Sequence, residues 1–146
     1  MGKWILIFVF ACTVAPALAD SDQDEVRALL HSSFDSKGAA LDIDPIVVAD
    51  SYAIAGWTQG DMGGRALLRR RDGKWILIMC AGDAIKSADA LRRAGLSADT
   101  ADSLTQKLQR SEATLGAGRL EMFARFEGLV RMDESGKHPS ARHQNH

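Results

Sequence analysis

The chain has 146 residues, of which 46% are hydrophobic and 25% charged, and its formal net charge at pH 7 is −1. This length is enough for one domain and no more. The nearly balanced charge argues against the strongly basic surface that nucleic acid or an anionic membrane requires, so we expect neither as a partner.

The first 19 residues have the three parts of a secretory signal peptide. Lys3 supplies the positive charge, an apolar run covers residues 4–14, and Ala17-Leu18-Ala19 fits an A-x-A cleavage site. The run is too short to span a bilayer as a helix. We therefore predict export to the periplasm, cleavage after Ala19, and no membrane span in the mature chain. A weaker alternative is a lipoprotein signal at Cys12.

The first element predicted for the mature chain is a helix from Ser21 to Phe34. Ser21 can cap it, and its apolar residues recur at helical spacing. Residues 41–49 are a strand candidate that Pro45 interrupts, so this strand lies at a sheet edge or begins after the proline. A second strand is predicted over residues 52–59.

A hairpin centred on Asp72-Gly73 is the clearest local signal. Asp-Gly suits the two central positions of a type I′ turn, where both residues need φ > 0. Such a turn sets the strand register, and it places Arg65 across from Cys80 and Arg69 across from Ile76. Arginines alternate with aliphatic residues on this face, so we expect it to meet another element, a ligand or a second subunit. The other face is assigned to the core, with the pairs Arg70–Trp75, Leu68–Leu77 and Ala66–Met79.

Helical segments follow the hairpin. Asp83 is expected to cap a helix that ends at Gly95, Ser97 is expected to cap the next helix, and residues 119–124 form a short helical turn. Residues 126–132 are a candidate last strand.

Together these elements predict an α+β fold. It consists of an N-terminal helix, an antiparallel β-meander of about four strands, two to three C-terminal helices packed on the sheet, and a last edge strand. One domain would span residues 20–132. The composition of residues 133–146 indicates a disordered tail that contains histidine.

Several short segments carry a resemblance to a known family. They are Ala53-Ile54-Ala55-Gly56-Trp57, Gly63-Gly64-Arg65-Ala66-Leu67-Leu68-Arg69, Gly73-Lys74-Trp75, Cys80-Ala81-Gly82-Asp83, Arg125-Phe126-Glu127-Gly128 and Met132-Asp133. On these segments the chain resembles the copper uptake system-associated proteins, which are small exported bacterial proteins. The resemblance implies an accessory role near copper import, with an envelope copper-transport component as partner. It assigns no active-site role to any residue.

Cys80 is the first candidate metal ligand, because it is the single cysteine left after cleavage and cannot form an internal disulfide. In the predicted register it faces Arg65 and precedes a helix N-terminus, and both would lower its pKa and favour the thiolate. Thiolate is a soft ligand suited to Cu(I). The alternative is a small buried hydrophobic residue at a strand end.

Met62 and the tail supply further candidate ligands for transiently bound copper. Met62 lies in a glycine-flanked loop, where a core residue is not expected; its alternative role is packing against the sheet. Other thioethers are those of Met79, Met122 and Met132. Three tail imidazoles can bind Cu(II) or Zn(II) loosely, unless the tail is simply solvated: His138, His143 and His146.

Two other function classes remain open. Arg65 and Arg69 can form a face for a small anionic or organic ligand, or for an acidic partner; the alternative is a solvated strand face. The chain also contains the residue types of a Cys-His-Asp enzyme, namely Cys80, His31 and Asp83, but no local signature supports such an enzyme.

The preferred hypothesis is a non-enzymatic exported protein that assists copper uptake by transient metal binding or by docking to a transport component.

Overall fold

The computed structural model describes residues 17–35 and 38–132. The tail and all but the last three residues of the predicted signal peptide lie outside these ranges. The elements, in chain order, are α1 (Ala17–Phe34), β1 (Leu41–Ala49), β2 (Tyr52–Gln59), β3 (Met62–Arg71), β4 (Lys74–Ala81), a 3₁₀ turn (Asp83–Ile85), α2 (Ala88–Arg93), α3 (Ala98–Glu112), α4 (Ala117–Ala124) and β5 (Leu129–Arg131). The predicted α+β class is confirmed.

The five strands form one antiparallel meander in the order β1-β2-β3-β4-β5. β1 and β5 are therefore the edge strands, as expected for the segment that contains Pro45 and for the last short strand. In β1 the pairing with β2 is interrupted between Ile43 and Ile46, where the proline lies. An edge strand tolerates this interruption because one side of its backbone needs no partner in the sheet.

The β3–β4 hairpin has the predicted turn. Asp72 and Gly73 have φ values of 50° and 75°, as a type I′ turn requires. From the turn to the Leu68–Leu77 pair the strands also keep the predicted register.

Beyond that pair the predicted register is wrong. β4 contains one extra residue, Ile78, so Leu67 pairs with Met79, Ala66 with Cys80 and Arg65 with Ala81. Such a bulge reverses the alternation of side chains along one strand. Met79 therefore lies on the opposite face from the one predicted, and Cys80 no longer lies across from Arg65.

Helices cover both faces of the sheet. On one face α1 packs through Val26 and Leu30 onto a cluster that includes Leu68 and Leu77. On the other face, α2 and α3 pack through residues such as Leu91 and Leu104 onto a second cluster that includes Leu67 and Met79. The arginine-bearing face was expected to meet another element, and that element is this helical layer.

The helix boundaries differ from expectation at two caps. α1 begins at Ala17, so Ser21 lies inside the helix and does not cap it. Ser87, not Asp83, caps α2 by accepting a hydrogen bond from Ala90 N. Ser97 caps α3 as predicted. None of the helices in the described ranges is both long and apolar enough to cross a membrane.

The segment from α4 to β5 lies against the sheet because glycines leave room for it. A Cβ on Gly63 would come within 2.6 Å of the Met122 carbonyl oxygen, and one on Gly82 within 2.6 Å of the Phe126 carbonyl oxygen. Because of this close approach, Phe126 packs on the sheet face that α1 covers. Phe123, which belongs to α4, packs against Gly56 on the other sheet face.

Candidate functional site

A cavity of about 230 Å³ lies between α1 and the sheet. It is bounded by α1, by all five strands, and by the residues on either side of β5. Its wall is almost wholly apolar and consists of Leu30, Phe34, Leu41, Trp57, Gln59, Ala66, Cys80, Phe126, Val130 and Met132.

The cavity exists because the centre of this sheet face carries small side chains. Ala55 pairs with Ala66, and Ala66 pairs with Cys80, so three small residues lie side by side across β2, β3 and β4. All three are buried in the α1-side cluster. Larger side chains such as Leu30 and Trp57 surround this row, and the volume above it is left unfilled.

The Cys80 thiol in the wall of the cavity is buried and neutral. Burial raises the pKa of Cys80 from its ordinary value of 9.0 to about 11, because an apolar environment disfavours the thiolate. The expectation of a lowered pKa depended on Arg65 and on a helix N-terminus as neighbours, and it is wrong. Arg65 pairs with Ala81, whereas Cys80 belongs to the cluster under α1. The chain after Cys80 forms a 3₁₀ turn at Asp83–Ile85, and α2 begins at Ala88.

Arg65 is fully buried, with 0% of its surface exposed. Its Nε and Nη2 donate to the two carboxylate oxygens of Glu112 at 2.6 and 3.0 Å, and its Nη1 donates to Asp83 at 3.0 Å. The guanidinium also lies 5.1 Å from the centre of the Phe123 ring. These contacts occupy the guanidinium that the alternative hypothesis assigned to a small anionic ligand.

Arg69 lies further along β3, is exposed, and has its guanidinium 5.7 Å from the centre of the Tyr52 ring. The structure therefore does not assemble Arg65 and Arg69 into one accessible anion-binding face. Sequence reasoning missed Glu112 as the partner of Arg65. The one available signal was that this arginine is the only charged residue in the segment 63–68.

Met132 is a second sulfur-containing residue in the wall of the cavity that Cys80 lines. Cys80 pairs with Val130, and Met132, two residues further along, packs against the cluster under α1 that contains Cys80. Diagonal neighbours of this kind have Cα atoms about 7–8 Å apart, within reach of a long side chain. The Met132 backbone is held there by a 2.8 Å hydrogen bond from its N–H to the Ile78 carbonyl. Sequence reasoning counted Met132 among the thioethers but did not place it beside the thiol.

The other predicted ligands lie elsewhere. Met62 is 49% exposed at the start of β3 and does not line the cavity. It is four residues from Ala66 along β3, which corresponds to about 13 Å. The three tail histidines lie outside the described residues. Within residues 17–35 and 38–132, no group of three or more histidine, cysteine, aspartate or glutamate side chains could hold a metal ion.

The residues of the alternative Cys-His-Asp set are not assembled. His31 Nδ1 lies 3.1 Å from a carboxylate oxygen of Asp35, one turn further along α1. Asp83 accepts from Arg65 on the opposite side of the sheet from the Cys80 thiol. The hydrogen bond from His31 to Cys80 that this mechanism requires is not formed.

Comparison of the chain with protein-family models, with curated proteins and with solved structures finds no match. The features of the described residues that bear on function are therefore the apolar cavity and the two sulfur side chains in its wall.

Proposed function

We propose that the protein is an exported, non-enzymatic accessory protein that holds Cu(I) transiently between Cys80 and Met132 during copper uptake. The observation that supports this proposal most directly is that a thiol and a thioether line the same apolar cavity. Both are soft donors, which Cu(I) prefers. The resemblance to copper uptake system-associated proteins points to the same metal.

The charge of the site favours a monovalent ion. Binding displaces the proton of the Cys80 thiol, because the metal ligand is the thiolate. One thiolate and one Cu(I) ion together are neutral, and a neutral pair suits an apolar wall. Zn(II) or Cu(II) with the same two ligands would leave a buried positive charge, which carries a large desolvation cost.

The tail is the proposed loading segment. It begins directly after Met132, and His138 is the sixth residue beyond this methionine. Six residues span at most about 20 Å, which is enough to reach back to a cavity whose wall includes Met132. The imidazoles of His138, His143 and His146 would capture copper that is already Cu(I) and transfer it to the two sulfurs without a change of oxidation state, and an envelope transport component would receive it.

An anaerobic competition titration against a chromophoric Cu(I) chelator tests the proposal on the mature protein. We expect about one tightly held equivalent, and at least about 100-fold weaker binding for Cys80→Ser, because the strongest donor is lost. Met132→Leu should weaken binding to a smaller extent.

Met62→Leu is the matched control, since it removes an exposed thioether outside the cavity and should leave the affinity unchanged. Truncation after Met132 should slow loading without removing the tight equivalent. A Cys80→Ser protein that binds Cu(I) as tightly as the unmodified chain would refute the proposal.

A further inference from the structure

The cavity is much larger than a metal ion held by two side chains requires. Its volume is about 230 Å³, whereas an engineered apolar cavity of about 150 Å³ stays dry and binds benzene. We propose that the cavity is also a binding site for a small uncharged apolar molecule, either a single aromatic ring with a short substituent or a medium-length aliphatic chain. This site does not depend on copper binding.

The chemistry of the wall excludes a charged ligand. None of the side chains that line the cavity within the described residues is charged. Gln59 donates its amide N–H groups to the carbonyls of Phe34 and Ala39, at 3.0 and 3.2 Å. Its amide nitrogen therefore links the end of α1 and the segment before β1 to β2. An ionised ligand would lose its hydration without an opposite charge to replace it.

Two aromatic rings in the wall favour a flat apolar ligand. Trp57 and Phe126 meet edge to face, with ring centres 6.0 Å apart and planes at 81°. Both rings are only partly buried, although they pack on the core beneath them. A third ring can add to such a pair in an offset or edge-on arrangement.

Phe34 contributes exposed apolar surface that a ligand in the cavity would bury. It is the last residue of α1, it lines the cavity, and it is still 39% exposed. Val130 and Met132 on the opposite wall are also partly exposed. Apolar surface that is exposed within a concave site is the surface whose burial favours binding.

The test uses the metal-free chain from Asp20 to His146. Toluene and 1-hexanol are the neutral probes, and benzoate is the charged comparison. We expect both neutral probes to raise the melting temperature and to shift the amide NMR signals of Ala66 and Val130. The toluene Kd should lie below about 1 mM, and benzoate should have no effect.

Two variants test whether toluene binds in this cavity. Val130→Trp fills the cavity from β5 and should weaken toluene binding at least about tenfold. The matched control is Leu129→Trp on the adjacent residue, which is 45% exposed, does not line this cavity, and should bind toluene normally. If Val130→Trp does not fold, Cys80→Leu fills the same cavity from β4.

Cys80→Ala separates this inference from the copper proposal, because it removes the thiolate ligand and keeps the cavity. We expect this variant to bind toluene like the unmodified chain while its Cu(I) affinity falls. Absence of any toluene effect on the unmodified protein would overturn the inference, as would undiminished binding by a folded cavity-filling variant.

Discussion

Arg65 and Glu112 form a bidentate ion pair that joins the middle of the sheet to the last turn of α3. The two N–O distances are 2.6 and 3.0 Å, and the exposed fractions of the two residues are 0% and 5%. A buried pair with this geometry satisfies both charges, but loss of either partner leaves the other desolvated. The pair therefore holds α3 against β3, on the face opposite the cavity.

The first prediction concerns this pair. Glu112→Ala should lower the free energy of unfolding by about 3–5 kcal/mol, because the buried guanidinium of Arg65 loses its bidentate partner and, among the described residues, keeps Asp83 as its acidic partner. Urea denaturation measures the change. Asp24→Ala is the control: it breaks an exposed pair with Arg27 and should cost less than about 1 kcal/mol. Equal losses in the two variants would show that the buried pair has no special role.

The second prediction concerns alkaline pH. The pKa of Cys80 is raised to about 11 in the folded protein, whereas the unfolded chain has the ordinary value of 9.0. Between these values the unfolded state has lost the proton and the folded state retains it, so stability is complete below pH 9 and falls as the pH rises toward 11. At about 1.4 kcal/mol per pKa unit, the loss is about 3 kcal/mol.

Denaturation curves at several pH values between 8 and 11 measure this loss. The comparison is with Cys80→Ala, which lacks the thiol and should lose less stability than the unmodified chain over the same pH range. A Cys80→Ala protein with the same pH dependence as the unmodified chain would contradict a buried neutral thiol.

The third prediction concerns the contact between α4 and the sheet. Gly63→Ala places a methyl group within 2.6 Å of the Met122 carbonyl oxygen, so the backbone must shift. We expect a loss of about 1–3 kcal/mol in unfolding free energy. Gly118→Ala, within α4, meets nothing within 4 Å and should stabilise the protein slightly, by about 0.5 kcal/mol. Thermal denaturation of both variants checks this difference, and a neutral Gly63→Ala would contradict the close approach.

Much of the fold follows from short-range signals in the chain. Asp72-Gly73 predicts the hairpin turn, Ser97 predicts the start of α3, and Pro45 predicts an edge strand, and the structure confirms each. In every case the physical cause lies within a few residues: positive φ, a hydroxyl that accepts from a backbone N–H, or a missing N–H. Such signals do not depend on the rest of the fold.

The site could not be predicted in the same way, and Ile78 is the reason. β4 is apolar at every position from Trp75 to Ala81, so no polar alternation reveals where one extra residue shifts the register. This shift separates Cys80 from Arg65. Met132 shares a cavity with the thiol because β5 pairs with β4, and this long-range pairing is not encoded by local sequence pattern.

The fourth prediction is the pH dependence of copper affinity. Because Cu(I) displaces the proton of a thiol with a pKa of about 11, the apparent affinity should rise about tenfold per pH unit between pH 6 and 8. Competition titrations at three pH values measure the slope. The tail-truncated variant should keep this slope, since it lacks the imidazoles that titrate in the same range. A pH-independent affinity would mean that the thiol is not the ligand.

The most direct test of the account is X-ray absorption spectroscopy at the copper edge, on the mature protein loaded anaerobically with one equivalent of Cu(I). We predict a first shell with two sulfur scatterers, one of which is lost in Cys80→Ser and the other in Met132→Leu. A first shell that contains only nitrogen and oxygen, or one that neither substitution changes, would contradict a copper site between Cys80 and Met132.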